Sequence, residues 1–513
     1  MAVNLDDAFE KLFKGGGILF FGLVVELGVS FLAKALIARY LGPSNYGAVS
    51  LGITMLALLS TLSLLGLNTG VGRYLPRFDD ESDRRGVMWS AFQIVLPVSV
   101  LVGVIVAVSA EPIATYAFHN PSIVPIIRTF GLTVPFAALM KLSVGGIQGV
   151  QLARPKVIVN NFTPPITRFT AVAIALVVGA GAVGIATAYA LAYVAAALVG
   201  LYFVVRKTPM FSSVKPTSMH RELLSFSAPL IVSSAMGFVL TDLDTFMLGY
   251  FATTNAVGVY NVIYPLAHLL MAALTAFGFL FVPVISRLDA EGETEDMKRV
   301  YQVVTKWIFM ATLPAFLVIA LFPELTISMT FGNEYRVGAT ALSILSIAFF
   351  SHSIAGPNAN VLTSIGRTRA IMWDNIVVAV VNTILNLLLI PRYGFLGAGI
   401  ATAASYLLLN FLYSLQLYRE TGIHPFSSGL VRPGLMGGGL VAVVAWVTRT
   451  YFTVTIPVLV AMFLVFLSAY GVVILRFGGV EEEEVTLVLS FEEQFGIDLG
   501  PFKTIAKALI KDR

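Results

Sequence analysis

The run Gly-Ile-Ala-Thr-Ala occurs twice in this chain, at Gly184–Ala188 and at Gly399–Ala403, 215 positions apart. Around it, Gln148–Ala190 and Thr363–Ser405 read alike without a gap, with Arg154 over Arg369, Asn160 over Asn375 and Gly179 over Gly394. Both copies are apolar over lengths that suit a bilayer, so the repeat reads as a duplicated set of membrane-spanning helices. Repeats of this kind mark transporter folds, whose substrate sites lie near the bilayer midplane between the repeats.

The remainder of the 513 residues agrees: 57% are hydrophobic, 12% are charged and the mean hydropathy is +0.85. A soluble domain carries roughly twice that share of charge. The absence of cysteine excludes disulfides, thiolate metal sites and cysteine nucleophiles. The segment Met1–Lys14, with Leu5, Phe9, Leu12 and Phe13, reads as an interfacial amphipathic helix rather than a cleavable leader.

Apolar runs of about 20 residues begin near Gly17, Gly47, Val87, Ile123, Val157, Val183, Ser225, Ala256, Val304, Gly338, Ile371, Leu396, Gly434 and Thr455. No ten-residue stretch alternates with period two, which argues against a barrel. The expected architecture is all-α and integral to the membrane, with about fourteen spans. Lysine and arginine fall about 25 on one side against 4 on the other, which puts both termini in the cytoplasm of a cell-membrane protein. The turn Leu41–Gly47 (LGPSNYG) also matches Phe251–Tyr260 (FATTNAVGVY). The expected division is therefore a six-span lobe over residues 1–205, a cytoplasmic linker over 206–224, and a second six-span lobe over 225–419. Two further spans over 434–476 and a cytoplasmic tail over 477–513 follow. In that tail the acids Glu481–Glu484 precede an amphipathic basic segment with Phe502, Ile505, Leu509 and Ile510 opposite Lys503, Lys507 and Lys511.

The phrases ARYLGPSNYG and Leu64–Phe78 (LLGLNTGVGRYLPRF) resemble the polysaccharide-biosynthesis or oligosaccharide flippase family. That family belongs to the multidrug/oligosaccharidyl-lipid/polysaccharide exporter superfamily, and the likeness extends over nearly the whole chain. The resemblance implies two six-helix lobes around a central cavity, and movement of lipid-linked sugars from the cytoplasmic leaflet outward by alternating access. It is compatible with an archaeal member that uses a dolichyl phosphate carrier. Membrane lipids, the lipid-linked sugar, and glycosyltransferases or an oligosaccharyltransferase of the same pathway are the partners it implies.

Ionisable residues inside spans are expensive and usually functional. The first lobe carries Glu26, Lys34, Arg39, Lys141 and Arg168; the seventh span carries Asp242 and Asp244. The four cations suit the phosphate or diphosphate of a lipid-linked sugar, with Glu26 as counter-charge when the site is empty. Structural ion pairing is the competing account, and snorkelling is a further one for Lys34 and Arg39. Asp242 and Asp244 are about 200° apart on a continuous helix and are candidates for ion coupling or helix packing. Asn375, Asn382 and Asn386 fall within about 40° of one face, which suits sugar hydroxyls or interhelical hydrogen bonds. Asn261, His268 and Thr275 recur at seven-residue steps, with His268 read as a packing residue. Arg73, Arg77, Arg154 and Arg369, near span ends, suit anionic headgroups.

Two other classes compete with a flippase. A multidrug or cationic-solute antiporter of the same superfamily would want an anionic or aromatic cavity. A membrane-embedded sugar polymerase, ligase or glycosyltransferase would want a long outer loop or a soluble domain, whereas the longest outer connection is about a dozen residues. The Asp242-Leu243-Asp244 triplet is superficially like glycosyltransferase metal acids, yet it stands in an apolar helix. No catalytic, cofactor or metal-ligand pattern is visible, and nothing supports nucleic-acid binding.

Overall fold

The computed structural model describes residues 5–426, 428–451 and 456–477; side chains before Glu26 and the tail beyond Phe477 lie outside the description. The amphipathic faces expected of Met1–Lys14 and of the tail therefore lie outside the described residues. Among those residues the chain is helical, without a strand. Contacts divide it into two units. Unit 1 comprises Met1–Asn261 with the short pieces Thr330–Tyr335 and Ile390–Phe395; unit 2 comprises Val262–Met329, Arg336–Leu389 and Leu396–Arg513.

Unit 1 begins with α1 (Leu5–Ser63), interrupted at Gly42, whose φ of 70° and ψ of 171° are not helical. Pro43 follows at once and fixes the break, because it has no N–H to offer the preceding turn. After α1 come α2 (Leu67–Tyr74), α3 (Glu81–Val108), α4 (Val124–Gly149), α5 (Ala153–Val178) and α6 (Gly181–Lys207). Then follow α7 (His220–Thr241), α8 (Leu243–Phe251) and the start of α9 (Thr254–His268). The family-like phrase at Leu64–Phe78 is a packing device. Gly66 turns at φ 73°, and α2 then lies so close to α4 that a Cβ on Gly145 would sit 2.3 Å from the Asn68 carbonyl oxygen. In lipid, where burial of apolar surface gives little drive between helices, such close approach of small residues supplies the packing. Leu64, Leu67, Val71 and Leu75 join Val87, Met88, Leu142 and Leu223 in one buried core.

Unit 2 contains the rest of α9, α10 (Ala272–Glu291), α11 (Thr294–Leu321), α12 (Pro323–Thr330), α13 (Ala339–Ala355) and α14 (Asn358–Ser364). It ends with α15 (Thr368–Tyr393), α16 (Phe395–Thr421), α17 (Ser428–Tyr451) and α18 (Ile456–Phe477). Its core gathers Phe281, Ile285, Met297, Tyr301, Ile308, Val361, Tyr413 and Leu417.

Eleven helices among the described residues are long and apolar enough to cross a membrane. One of them, Glu26–Ser63, holds two helices joined at the Gly42 kink. With α17 and α18 standing where the last two spans were expected, this is consistent with fourteen. Their outer faces are apolar, as lipid demands: Val177 is 89% exposed and Val108 75%. The repeat is also visible in the backbone. Gly179 and Gly394, equivalent in the register, both turn left-handed at φ 74° and 56° before the helix that carries Gly-Ile-Ala-Thr-Ala.

Candidate functional site

A cavity of about 180 Å³ lies within unit 1, lined by Ala57, Leu58, Thr61 and Leu62 of α1, by Phe238 and Thr241 of α7, and by Asp242. Asp242 is not mid-helix. With φ −130° and ψ −10° it interrupts the chain between α7 and α8, and its carboxylate accepts a hydrogen bond from the Thr241 hydroxyl at 2.6 Å. The seventh span is thus two helices meeting at an acid, and the angular separation expected for a continuous helix does not apply.

Lys141, on α4, reaches the α1 side of this cavity. Its ammonium donates to Ser60 Oγ and to Thr61 Oγ1, each at 2.9 Å. An ammonium has three N–H donors, so two neutral hydroxyls leave one free and its charge unneutralised. Ser60 in turn donates to the Ala57 carbonyl at 3.2 Å, which leaves its oxygen lone pairs facing the lysine.

The second cationic cluster is on α5 and the first limb of α1. Arg168 donates to Ser30 Oγ, and its guanidinium lies 5.1 Å from the centre of the Tyr189 ring. Glu26 accepts from the Asn161 amide and feels the Arg168 charge. Lys34 stands within electrostatic reach of both Arg168 and Asp242. No ion pair within hydrogen-bonding distance joins Lys34, Lys141 or Arg168 to a carboxylate among the described residues. Three cations against two carboxylates therefore leave this region with an excess of positive charge.

The structure thus brings Glu26, Lys34, Arg168 and Asp242 into one electrostatic group, with Lys141 joined to the cavity through Thr61. Asp242 belongs to the same unit as the cations, although sequence order places it after the linker. Arg39 stands apart: it is exposed and donates through Nε to the Thr330 carbonyl at 2.9 Å. Asp244 is 5% exposed and accepts from the Tyr260 hydroxyl. The asparagines of α15 are in unit 2, where Asn375 accepts from the Tyr413 hydroxyl at 2.8 Å and Asn386 donates to Asn382 at 3.0 Å. Asn382 and Asn386 are 3% and 0% exposed.

Several participants were not visible in the sequence. Ser30, Ser60, Thr61, Thr241 and Tyr189 are small or aromatic residues of kinds that fill any membrane helix. Asn161 had one signal, its place beside the repeat residue Asn160. Asp374 is a further intramembrane acid outside the expected set; it is 5% exposed and accepts from the Gln416 amide at 2.8 Å. Among the described residues no group of three His, Asp or Glu side chains could hold a metal ion.

A family model described as "Polysaccharide biosynthesis protein" matches residues 12–289, more than half of the chain, and the MatE model matches residues 229–388. "Uncharacterized membrane protein MJ1068" of Methanocaldococcus jannaschii is 29% identical over 40% of this chain and 42% of its own length. "Probable low-salt glycan biosynthesis flippase Agl15" of Haloferax volcanii is 27% identical over 38% of this chain and 41% of its own. This chain thus spans less than half the length of either archaeal relative. "Lipid II flippase MurJ" of Bacillus subtilis is 23% identical over 85% of this chain and 89% of its own. In fold, the chain is similar to a lipid II flippase MurJ structure in an inward closed conformation. There the TM-score is 0.68 at 12% identity, covering 90% of this chain and 99% of that one. An inward-facing multidrug resistance MATE transporter gives a TM-score of 0.63 at 16% identity, covering 77% of this chain and 94% of that one.

Proposed function

The chain belongs to the polysaccharide biosynthesis protein family, and from that premise we propose that it is a flippase for a sugar or oligosaccharide linked to a polyprenyl or dolichyl phosphate. It moves the glycan from the cytoplasmic to the outer leaflet by alternating access, for assembly of surface polysaccharide or glycoprotein. The carrying observation is the set Lys34, Lys141 and Arg168 in membrane-grade helices, without an ion pair to a carboxylate among the described residues, with Lys141 bonded to Thr61 in the wall of a cavity that Thr241 and Asp242 also line. A charge at the bilayer centre costs about 2.5–3.5 kcal/mol on insertion scales, a cost that an anionic headgroup offsets during transport. Lysine meets phosphate as a point charge and arginine as a fork, so separate cations can follow a phosphate through successive positions.

In this reading residues 1–205 and 225–419 form the two lobes, with 206–224 as the linker. In the same reading both termini lie on the cytoplasmic side of the cell membrane, which the lysine and arginine bias supports. Arg39, exposed at the kinked end of the first span, would meet the headgroup on release. Asn375, Asn382 and Asn386 would serve sugar hydroxyls. Asp242, and behind it Asp244, would couple ion movement to transport. Glycosyltransferases or an oligosaccharyltransferase of the pathway would supply and consume the glycolipid.

The MatE match over residues 229–388 favours a second reading, a multidrug antiporter. Cationic drugs would meet the repulsion of Lys34, Lys141 and Arg168, which weighs against it. The deciding test uses proteoliposomes that hold a fluorescent polyprenyl-phosphate sugar in one leaflet and, separately, a cationic dye. Transfer of the glycolipid supports the flippase; transport of the dye alone refutes it.

A further inference from the structure

Unit 2 buries an acid that the flippase reading does not use. Asp374, on α15, is 5% exposed, and its Oδ1 accepts from Gln416 Nε2 of α16 at 2.8 Å. The other oxygen of each group, Asp374 Oδ2 and Gln416 Oε1, is buried without a hydrogen-bond partner. Two acceptors thus lack a donor on the very groups that one hydrogen bond already joins. Both helices are long and apolar enough to span a membrane, where an ionisable side chain is a functional candidate.

No counter-charge answers this carboxyl group: among the described residues Asp374 takes part in no ion pair. Arg367, just before α15, is engaged by Glu420, one turn beyond Gln416 on α16, at 2.6 Å. Arg369 and Arg419 are exposed. Tyr413 of α16 donates to Asn375 Oδ1 at 2.8 Å. The adjoining core is apolar. To it α14 brings Val361 and Leu362 and has no titratable residue, α10 brings Phe281 and Ile285, and α11 brings Tyr301, whose hydroxyl donates to the Ala355 carbonyl. An isolated carboxylate in such surroundings is costly enough that it takes up a proton instead. Protonation turns one carboxyl oxygen into a donor, the group that Gln416 Oε1 lacks.

We propose that Asp374 is a proton-binding site, occupied at neutral pH, in which the neutral acid and the Gln416 amide pair edge to edge. Gln416 Nε2–H donates to Asp374 Oδ1, and Asp374 Oδ2–H donates to Gln416 Oε1. One proton satisfies both orphaned acceptors and removes the charge. A divalent cation would want about six oxygens, and Asn375 Oδ1 is already engaged by Tyr413. By helical rise Asp374 stands about 9 Å inside the start of α15, and Gln416 about 8 Å inside the end of α16. The proton exchanges with water at that end, past the Arg367–Glu420 pair. Its loss sets a carboxylate against the amide oxygen and loosens α15 from α16. That this exchange accompanies glycolipid movement rests on the flippase reading; the proton site itself does not.

The test is infrared difference spectroscopy on the intact protein in lipid nanodiscs, wild type against Asp374→Asn. At neutral pH the wild type should show the carbonyl stretch of a neutral carboxylic acid and lose it as the pH is raised, and Asp374→Asn should lack that band throughout. Gln416→Leu should shift the band or abolish it, since the acid loses its partner. Spectra of wild type and Asp374→Asn that match in the carboxylic-acid region would overturn the proposal. A band left at the wild-type frequency in folded Gln416→Leu would overturn the pairing, and carboxylate bands that respond to sodium but not to pH would replace the proton with a metal ion. In proteoliposomes, an imposed pH gradient should alter glycolipid transfer by wild type and not by Asp374→Asn, which offers Gln416 an amide donor and has no proton to release. An equal response in both would overturn the link to transport. Should the wild type move no glycolipid at all, the flippase reading fails, and the infrared spectra still decide the proton site.

Discussion

Gly47 and Gly258 occupy reciprocal positions in the crossing of two helix starts. A Cβ on Gly47 would lie 1.8 Å from the Thr254 carbonyl oxygen, and a Cβ on Gly258 would lie 1.9 Å from the Pro43 carbonyl oxygen. Each glycine thus makes room for the backbone that opens the other's helix, and the Ser44 and Thr254 hydroxyls bond across the crossing at 3.1 Å. These are the two turns whose sequences match at Leu41–Gly47 and Phe251–Tyr260, so the weaker internal likeness records a symmetric contact within unit 1.

Gly47→Ala or Gly258→Ala should therefore destabilise the protein by on the order of 3 kcal/mol, because backbone cannot move aside as a side chain can. Gly28→Ala is the control, since nothing lies within 4 Å of its added Cβ. Thermal unfolding in detergent should show a large loss for the first two and none for the third. Equal behaviour of all three would contradict the crossing.

The repeat makes a second prediction. Gln151 has φ 58°, and the residue 215 positions later is Gly366, with φ 77°. A left-handed turn is strained for glutamine and free for glycine. Gln151→Gly should stabilise by about 1 kcal/mol and Gly366→Ala should cost about the same, both read as shifts in thermal midpoint.

The segment between α6 and α7 is strapped to the start of α3. Ser82 Oγ donates to the Lys215 carbonyl at 2.7 Å, Arg85 Nε donates to the Met210 carbonyl at 3.2 Å, and Arg85 also reaches the Val214 carbonyl. Gly86 lets the strap approach, since its Cβ would lie 2.2 Å from the Thr217 oxygen. Arg85→Ala should raise the rate of proteolytic cleavage between residues 208 and 219 several-fold while membrane insertion is retained. An unchanged cleavage rate would show that the strap does not depend on Arg85.

Hydrophobic periodicity and the repeat made the fold legible, because a bilayer allows few solutions and helix length is set by its thickness. The helix starts near Gly47, Ala256 and Leu396 came from that constraint. The break at Asp242 was not legible: Thr241-Asp242-Leu243 contains neither proline nor glycine to announce it. The site was half legible. An intramembrane charge announces itself in sequence, so Glu26, Lys34, Lys141 and Arg168 stood out. Their partners Ser30, Ser60, Thr61 and Asn161 did not, since hydroxyls and amides in membrane helices commonly serve packing.

Asp242 allows binding to be separated from movement. Asp242→Asn removes a negative charge from the cavity wall while keeping a hydrogen-bond acceptor for Thr241. The variant should bind an anionic glycolipid at least as tightly as wild type and transfer it at least tenfold more slowly. Equilibrium binding and transfer measured on the same preparation check both halves, and unchanged transfer would remove Asp242 from the coupling role.

The central claim is that Lys141 and Arg168 receive the anionic headgroup, and the most direct measurement is glycolipid transfer by the Lys141→Gln/Arg168→Gln double variant in proteoliposomes. The protein should insert and unfold like wild type, yet transfer of a fluorescent polyprenyl-phosphate sugar should fall at least a hundredfold. Transfer at the wild-type rate by a folded double variant would contradict the account.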